Sequence, residues 1–334
     1  MTHPTTAPGH RTKLFWLALA LPFLLGFFSG AWGLKFLTER IFKKPAFQEV
    51  REGGYEFINP LLECEPGEMP QELIPFKNKI AEAVQAAVQS KQAIEVGVYF
   101  RDLNNGPWFG INENLKFLPA SLLKVPIMMA YFKKAESDPG LLKKTLTYER
   151  KMSGMEQHFE PSEVLTPGES YTIKDLIGRM IKYSDNEAKE MLVAYDPGSF
   201  NSVQKSLGMD VWEYNEPEQA ISVRSYASLF RILYNASYLS PEMSEKALKI
   251  LSKSQFPYGL VTSVPEGTKV AHKFGERYER WTWQLHDCGI IYYPKHPYLL
   301  CILTRGADVE ALRKVIQNIS RIVYSEVDKQ SRSR

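Results

Sequence analysis

Between Leu14 and Leu34 the chain runs LFWLALALPFLLGFFSGAWGL, 21 residues without a charge. As a helix rising 1.5 Å per residue, it would span about 30 Å, the thickness of a bilayer core. A cleaved signal peptide has an apolar region of about 7–15 residues ahead of a small-x-small site. This run is longer, and Ser29-Gly30-Ala31 matches such a site poorly. The segment is therefore expected to be an uncleaved anchor, with everything after it folding on one side of a membrane. Two Lys/Arg precede it and four follow within ten residues, a balance that leans toward a cytoplasmic C-terminus. The chemistry read from the rest of the chain points outward and carries more weight.

Charge is unevenly spread over the 334 residues, whose formal net charge is +3. Residues 1–44 hold six Lys/Arg against Glu39, which leaves 35 bases against 37 acids in the remainder. A body without positive excess argues against nucleic acid as a partner. Residues 1–13 read as an N-terminal tail, 14–34 as the anchor and 35–69, which lack a sustained apolar period, as a stalk. Residues 70–328 are long enough for one large domain. Cys64, Cys288 and Cys301 fit no metal spacing, and no cofactor is expected. Cys288 and Cys301 lie in apolar runs and read as small buried hydrophobes.

Within the domain, Leu73, Ile74, Phe76, Ile80, Val84 and Val88 recur near a period of 3.6 after Pro70 and predict a helix. IEVGVYFRD predicts a strand, Asn104-Asn105-Gly106 a hairpin turn, and Trp108 to Ile111 its partner strand. An apolar helix follows Leu118-Pro119-Ala120, and helical spacing returns at Thr172–Met180, Glu187–Ala194 and Ser225–Tyr234. QLHDCGIIYYP and PYLLCILTRG flank Lys295-His296 as a second hairpin, and Val309 to Val323 closes the chain as an amphipathic helix. This order predicts an α/β sandwich, with the domain's two ends on one face of an antiparallel sheet.

Three short motifs could carry chemistry. Ser121-Leu122-Leu123-Lys124 opens the apolar helix, where residues three apart share a face, so the amine can lie beside the hydroxyl. A serine at a helix start also has backbone N–H groups nearby for a developing oxyanion. Lys124 sits among Leu122, Leu123, Val125 and Ile127, and burial lowers a lysine's pKa toward that of a proton acceptor. Ser before a helix is, equally, a common N-cap. Ser184-Asp185-Asn186 separates two helical stretches, and such a tripeptide alone is most often a capping turn. Lys273-Phe274-Gly275 falls on a predicted strand before the last hairpin.

In this order the motifs resemble the S-x-x-K, S-D-N and K-T-G elements of class A β-lactamases and penicillin-binding proteins. The resemblance spans about residues 70–325, including LTPGESYTIKDLIGRMIKYSDNEAKEMLV and the final hairpin. It implies a β-lactamase/transpeptidase-like fold, a five-stranded antiparallel sheet packed with helices plus an all-helical subdomain. It also implies that Ser121 is the acylating nucleophile and Lys124 its base. By the same resemblance Ser184 relays a proton to the leaving nitrogen, Asn186 holds the substrate's side-chain amide, and Lys273 supplies positive charge. Gly275 leads to Glu276, whose N–H joins that of Ser121 as the oxyanion hole. The implied partner is a β-lactam or a peptidoglycan-like peptide outside the membrane.

Two departures from the family stand out. Phe274 replaces the hydroxyl residue that bonds a substrate carboxylate, and is expected to add bulk at the mouth of the site. Between Gly208 and Ile221 the chain has MDVWEYNEPEQA, shorter than the family's omega loop and without its E-x-x-L-N pattern. Glu213, Glu216 and Glu218 there read as solvated acids, and no deacylating base is assigned. An acyl-transfer enzyme with slow deacylation is the leading expectation. A catalytically impaired binding or sensor module is the alternative that the two departures favour.

Overall fold

The computed structural model describes residues 49–51, 53–64, 73–104, 107–154, 157–209 and 220–332. The anchor segment 14–34, most of the stalk, and Glu213, Glu216 and Glu218 lie outside them. Among the described residues, no helix is long and apolar enough to cross a membrane.

The strand-like runs assemble into one antiparallel sheet: β1 (Glu95–Asp102), β2 (Trp108–Ile111), β3 (Val270–Glu279), β4 (Thr282–Ile291) and β5 (Tyr298–Gly306). Their order is β2-β1-β5-β4-β3, which leaves β3 at an edge. Successive side chains of a strand point to opposite faces, and both faces are covered. Val96, Val98 and Phe100 of β1 pack with Phe76, Ile80 and Val84 of α1 (Leu73–Gln89) and with Leu312, Ile316 and Ile319 of α7 (Val309–Arg332). The first and last helices thus share one face, as the element order predicts.

The opposite face, with Tyr99, Leu299, Cys301 and Leu303, packs against the helical part of the chain. That part holds α2 (Lys124–Ser137), α3 (Ile173–Lys182), α4 (Asn186–Tyr195), α5 (Val223–Tyr234) and α6 (Pro241–Leu251). The observed architecture is the expected mixed α/β one.

Two features differ from expectation. Cys288 and Cys301 are fully buried, but they face each other across β4 and β5 and form a disulfide, with Cα atoms 4.0 Å apart. Composition alone does not reveal the pair, because the partners meet only once the register of β4 and β5 is set. The turn between β3 and β4 uses Arg280 and Trp281, both with positive φ. That backbone matches the twist of a two-residue hairpin, but neither residue belongs to the Asn/Gly class that announces such a turn.

Candidate active site

Ser121 lies in a single turn of 3-10 helix, Ala120–Leu123, that runs directly into α2. Ala120 before it has φ +48°, a left-handed conformation that costs a non-glycine residue about 1–2 kcal/mol. The approach to this turn is clamped from β4. Gln284 Oε1 accepts from Leu118 N–H at 2.8 Å, and His286 Nε2 lies 2.9 Å from the Leu118 carbonyl oxygen. His286 Nδ1 accepts from Thr304 N–H at 3.2 Å, so the proton sits on Nε2, which donates to Leu118. Burial pushes the His286 pKa down to about 4, which keeps the ring neutral at neutral pH. Sequence reading missed both residues. Their signal was two polar side chains at i and i+2 on one face of an otherwise apolar strand.

Gly275 closes the site from the other side. A Cβ there would lie 3.0 Å from the Pro119 carbonyl oxygen and 3.2 Å from Leu122 N, so a side chain at 275 would crowd the close approach of β3 to the serine turn. The strand neighbours of Gly275, Lys273 and Glu276, are thereby brought beside Ser121's turn.

Between these walls, Ser121, Lys124, Ser184, Asn186 and Lys273 form one hydrogen-bonded cluster. Lys124 Nζ is 2.9 Å from Ser121 Oγ, 2.6 Å from the Ser184 carbonyl oxygen, 3.1 Å from Ser184 Oγ and 2.7 Å from Asn186 Oδ1. Lys273 Nζ donates to Ser184 Oγ at 3.0 Å and to the Phe274 carbonyl oxygen at 2.9 Å. Both amines are buried, at 1% and 0% exposure. Loss of solvent, and then the charge of Lys273, hold the Lys124 amine well below its usual pKa. Desolvation likewise brings Lys273 down to about 7, against the opposing pull of Asp287 and Glu276.

The Ser184-Asp185-Asn186 turn caps a helix and also holds two members of this cluster. Asp185 caps α4, its carboxylate accepting from Glu187 N–H and Ala188 N–H at 2.8 and 3.1 Å. Ser184 takes φ +56° immediately before it, fully buried, with its hydroxyl between the two lysines. A strained residue held by such surroundings is characteristic of functional sites.

Phe274 is 4% exposed within the core shared with α1 and α7, and the Lys273 amine lies over its ring, with Nζ 4.2 Å from the centroid. Its ring stacks on Phe256, with centroids 4.0 Å apart and planes 12° apart. A further segment missed by sequence reading crosses this region. Gln157 Nε2 donates to the Ser184 carbonyl oxygen at 3.2 Å, and Phe159 N–H donates to Glu276 Oε1 at 2.9 Å. The segment has no periodicity, so nothing in the sequence marked it. Burial raises the Glu276 pKa, although Lys273 and His158 work against it. Among the described residues, no three His, Cys, Asp or Glu side chains cluster as metal ligands would.

This arrangement can activate a hydroxyl. In a neutral Lys124 amine, the two N–H groups are taken by carbonyl oxygens of Ser184 and Asn186, which can only accept. The lone pair is then left for the O–H of Ser121.

A model of the Beta-lactamase enzyme family matches residues 78–327. No curated protein matches the chain. Among solved structures, a mutant of PBP-A in an acyl-enzyme complex with penicillin G is 23% identical, with a TM-score of 0.65 over 79% of this chain and 100% of that one. A β-lactamase from Sphaerobacter thermophilus is 24% identical, with a TM-score of 0.62 over 74% and 95% of the two chains. A class A β-lactamase from Mycobacterium abscessus is 21% identical, with a TM-score of 0.64 over 75% and 99%. At these identities the likeness establishes the fold.

Proposed function

Because the chain belongs to the beta-lactamase enzyme family, we propose that it is a serine hydrolase acylated at Ser121 by a β-lactam or a cell-wall peptide amide. The observation that carries this reading is the contact of a buried, pKa-lowered Lys124 amine with Ser121 Oγ at 2.9 Å. Lys124 takes the serine proton as Oγ attacks the carbonyl carbon. Backbone N–H groups of Ser121 and Glu276 receive the oxyanion, in the manner such donors generally do. The proton passes through Ser184 Oγ, which both lysines reach, to the leaving nitrogen. Asn186 holds a substrate amide. PBP-A with penicillin G, an acyl-enzyme on the same fold, supports the chemistry.

Hydrolysis of the acyl-enzyme also needs a base that holds and deprotonates water. Among the described residues, no carboxylate hydrogen-bonds to Ser121 Oγ or Lys124 Nζ. Asp185 caps α4 with one oxygen and Glu276 accepts from Phe159 N–H with one, and the second oxygen of each has no hydrogen-bond partner. The missing E-x-x-L-N pattern between Gly208 and Ile221 favours slow release of the acyl group. Nitrocefin tests it: a stoichiometric burst followed by slow turnover is expected, and rapid steady-state hydrolysis without a burst overturns it.

The same reading places the domain outside the cytoplasm, tethered by residues 14–34. The buried Cys288–Cys301 disulfide supports this, since such bonds persist in oxidising compartments. A binding or sensor module remains the second reading, favoured by the absence of a hydroxyl at Phe274.

A further inference from the structure

Leu118 lies in neither a helix nor a strand, so its backbone groups have no ladder to pair them. Two buried side chains of β4 supply the partners. Gln284 Oε1 accepts from the Leu118 N–H at 2.8 Å, and His286 Nε2 donates to the Leu118 carbonyl oxygen at 2.9 Å. Thr304 of β5 fixes the ring from behind. Its N–H donates to His286 Nδ1 at 3.2 Å, and its hydroxyl donates to the Leu285 carbonyl oxygen at 2.6 Å.

The place of this clamp in the sheet ties it to the serine. His286 is the ladder partner of Gly275, and Leu285 that of Glu276. Gly275 is the residue at which a Cβ would lie 3.0 Å from the Pro119 carbonyl oxygen. One rung of the sheet therefore meets Leu118 through His286 and Pro119 through Gly275. The next residue along β3 is Glu276, whose N–H is assigned above to the oxyanion. On the far side of the turn, Tyr226 Oη of α5 donates to the Leu122 carbonyl oxygen at 3.0 Å. Ala120, at φ +48°, and Ser121 lie between these two anchored residues. A left-handed alanine persists where its surroundings over-determine it, and Leu118 and Leu122 are where the surroundings hold.

We propose that Gln284 and His286 are positioning residues. They fix Leu118, and through it the strained turn, so that Ser121 Oγ and the N–H groups of Ser121 and Glu276 keep the spacing that acyl transfer requires. The proposal rests on the acyl-transfer reading above; both side chains act through the turn, not on the substrate.

The test is rapid-quench mass spectrometry with penicillin G, which separates the dissociation constant of the first complex from the acylation rate constant. Amide hydrogen exchange across residues 118–122 is measured beside it. His286→Leu and Gln284→Met should each lower the acylation rate constant about 10²-fold, the scale of a misplacement of about 1 Å, with the dissociation constant unchanged. Amides in the turn should exchange faster in both variants. His286→Gln carries an N–H that can still reach the Leu118 carbonyl, and should recover most of the rate. If His286→Leu does not fold, Gln284→Met, which removes one acceptor, carries the same comparison. A structural role alone would lower the melting temperature and leave the acylation rate constant of the folded variants unchanged, which overturns the proposal. Equal loss in His286→Leu and His286→Gln overturns the part given to His286. Absence of any adduct on the unmodified protein sinks the acylation reading. Faster exchange in the variants would then leave the clamp standing, and unchanged exchange would remove it.

Discussion

Lys124 and Lys273 donate to one oxygen, Ser184 Oγ, at 3.1 and 3.0 Å. Two protonated amines on one buried hydroxyl are costly, because burial and a like charge both disfavour the charged form. Lys273 is therefore poised to give up its proton near neutrality, at about 7, and Lys124 is held well below its usual value. A shared hydroxyl also gives protons a route between the amines and a leaving group.

Stability should follow the same titration. A lysine in the unfolded chain keeps its proton to about pH 10.4, whereas folded Lys273 releases it near 7. Between those values the unfolded state binds more protons, so stability rises with pH. The denaturant midpoint should climb from pH 7 to pH 9, and Lys273→Met should flatten that climb. A midpoint that falls over this range would contradict the buried-amine geometry.

Acylation should depend on Lys124 as an amine, not as a cation. Lys124→Ala should slow single-turnover acylation about 10²–10⁴-fold, the usual contribution of a positioned base. Lys124→Arg should be as slow, because a guanidinium does not deprotonate in a protein. Stopped-flow labelling with a fluorescent penicillin measures both variants, and an active Lys124→Arg protein would remove Lys124 from the base role.

Phe274→Thr restores the family's hydroxyl but removes a stacked core ring. Truncating a buried phenylalanine costs about 3–5 kcal/mol, and the Phe256 stacking contact is lost with it. The variant should melt earlier than the unmodified protein, yet acylate faster with a carboxylate-bearing penicillin. Scanning calorimetry and acylation rates decide the two halves. Unchanged stability would mean that the ring is not part of the core.

The hydrogen-bonded cluster was legible because Ser121 and Lys124 share a helical turn and the three motifs keep a recognisable order. The sheet was legible for a similar reason: β4 and β5 are long apolar runs around Lys295-His296, a local turn signal. What escaped was set by tertiary contact. Phe274 was read by motif position, and its packing between the Lys273 amine and the Phe256 ring exists only once β3 meets the chain around Phe256. α6 was overlooked despite Ser240 and Pro241, a cap and first-turn proline that the structure uses as such, with Ser240 Oγ accepting from Met243 N–H at 3.3 Å. Gln157 and Phe159 carry no local pattern, and only the fold brings them over Ser184 and Glu276.

Topology is open to a direct check. A reporter fused after Arg334 that works only outside the cytoplasm should be active. Cys288 and Cys301 should resist alkylation after denaturation unless a reductant is added. Activity from a cytoplasmic reporter alone would contradict the extracytoplasmic placement.

The account stands most directly on where the acyl group goes. Intact-protein and peptide mass spectrometry after exposure to penicillin G should show one adduct, located on Ser121, that forms on the unmodified protein and is absent from a folded Ser121→Ala protein. An adduct that persists on Ser121→Ala, or that maps to another residue of the unmodified protein, would contradict the assignment of Ser121 as nucleophile.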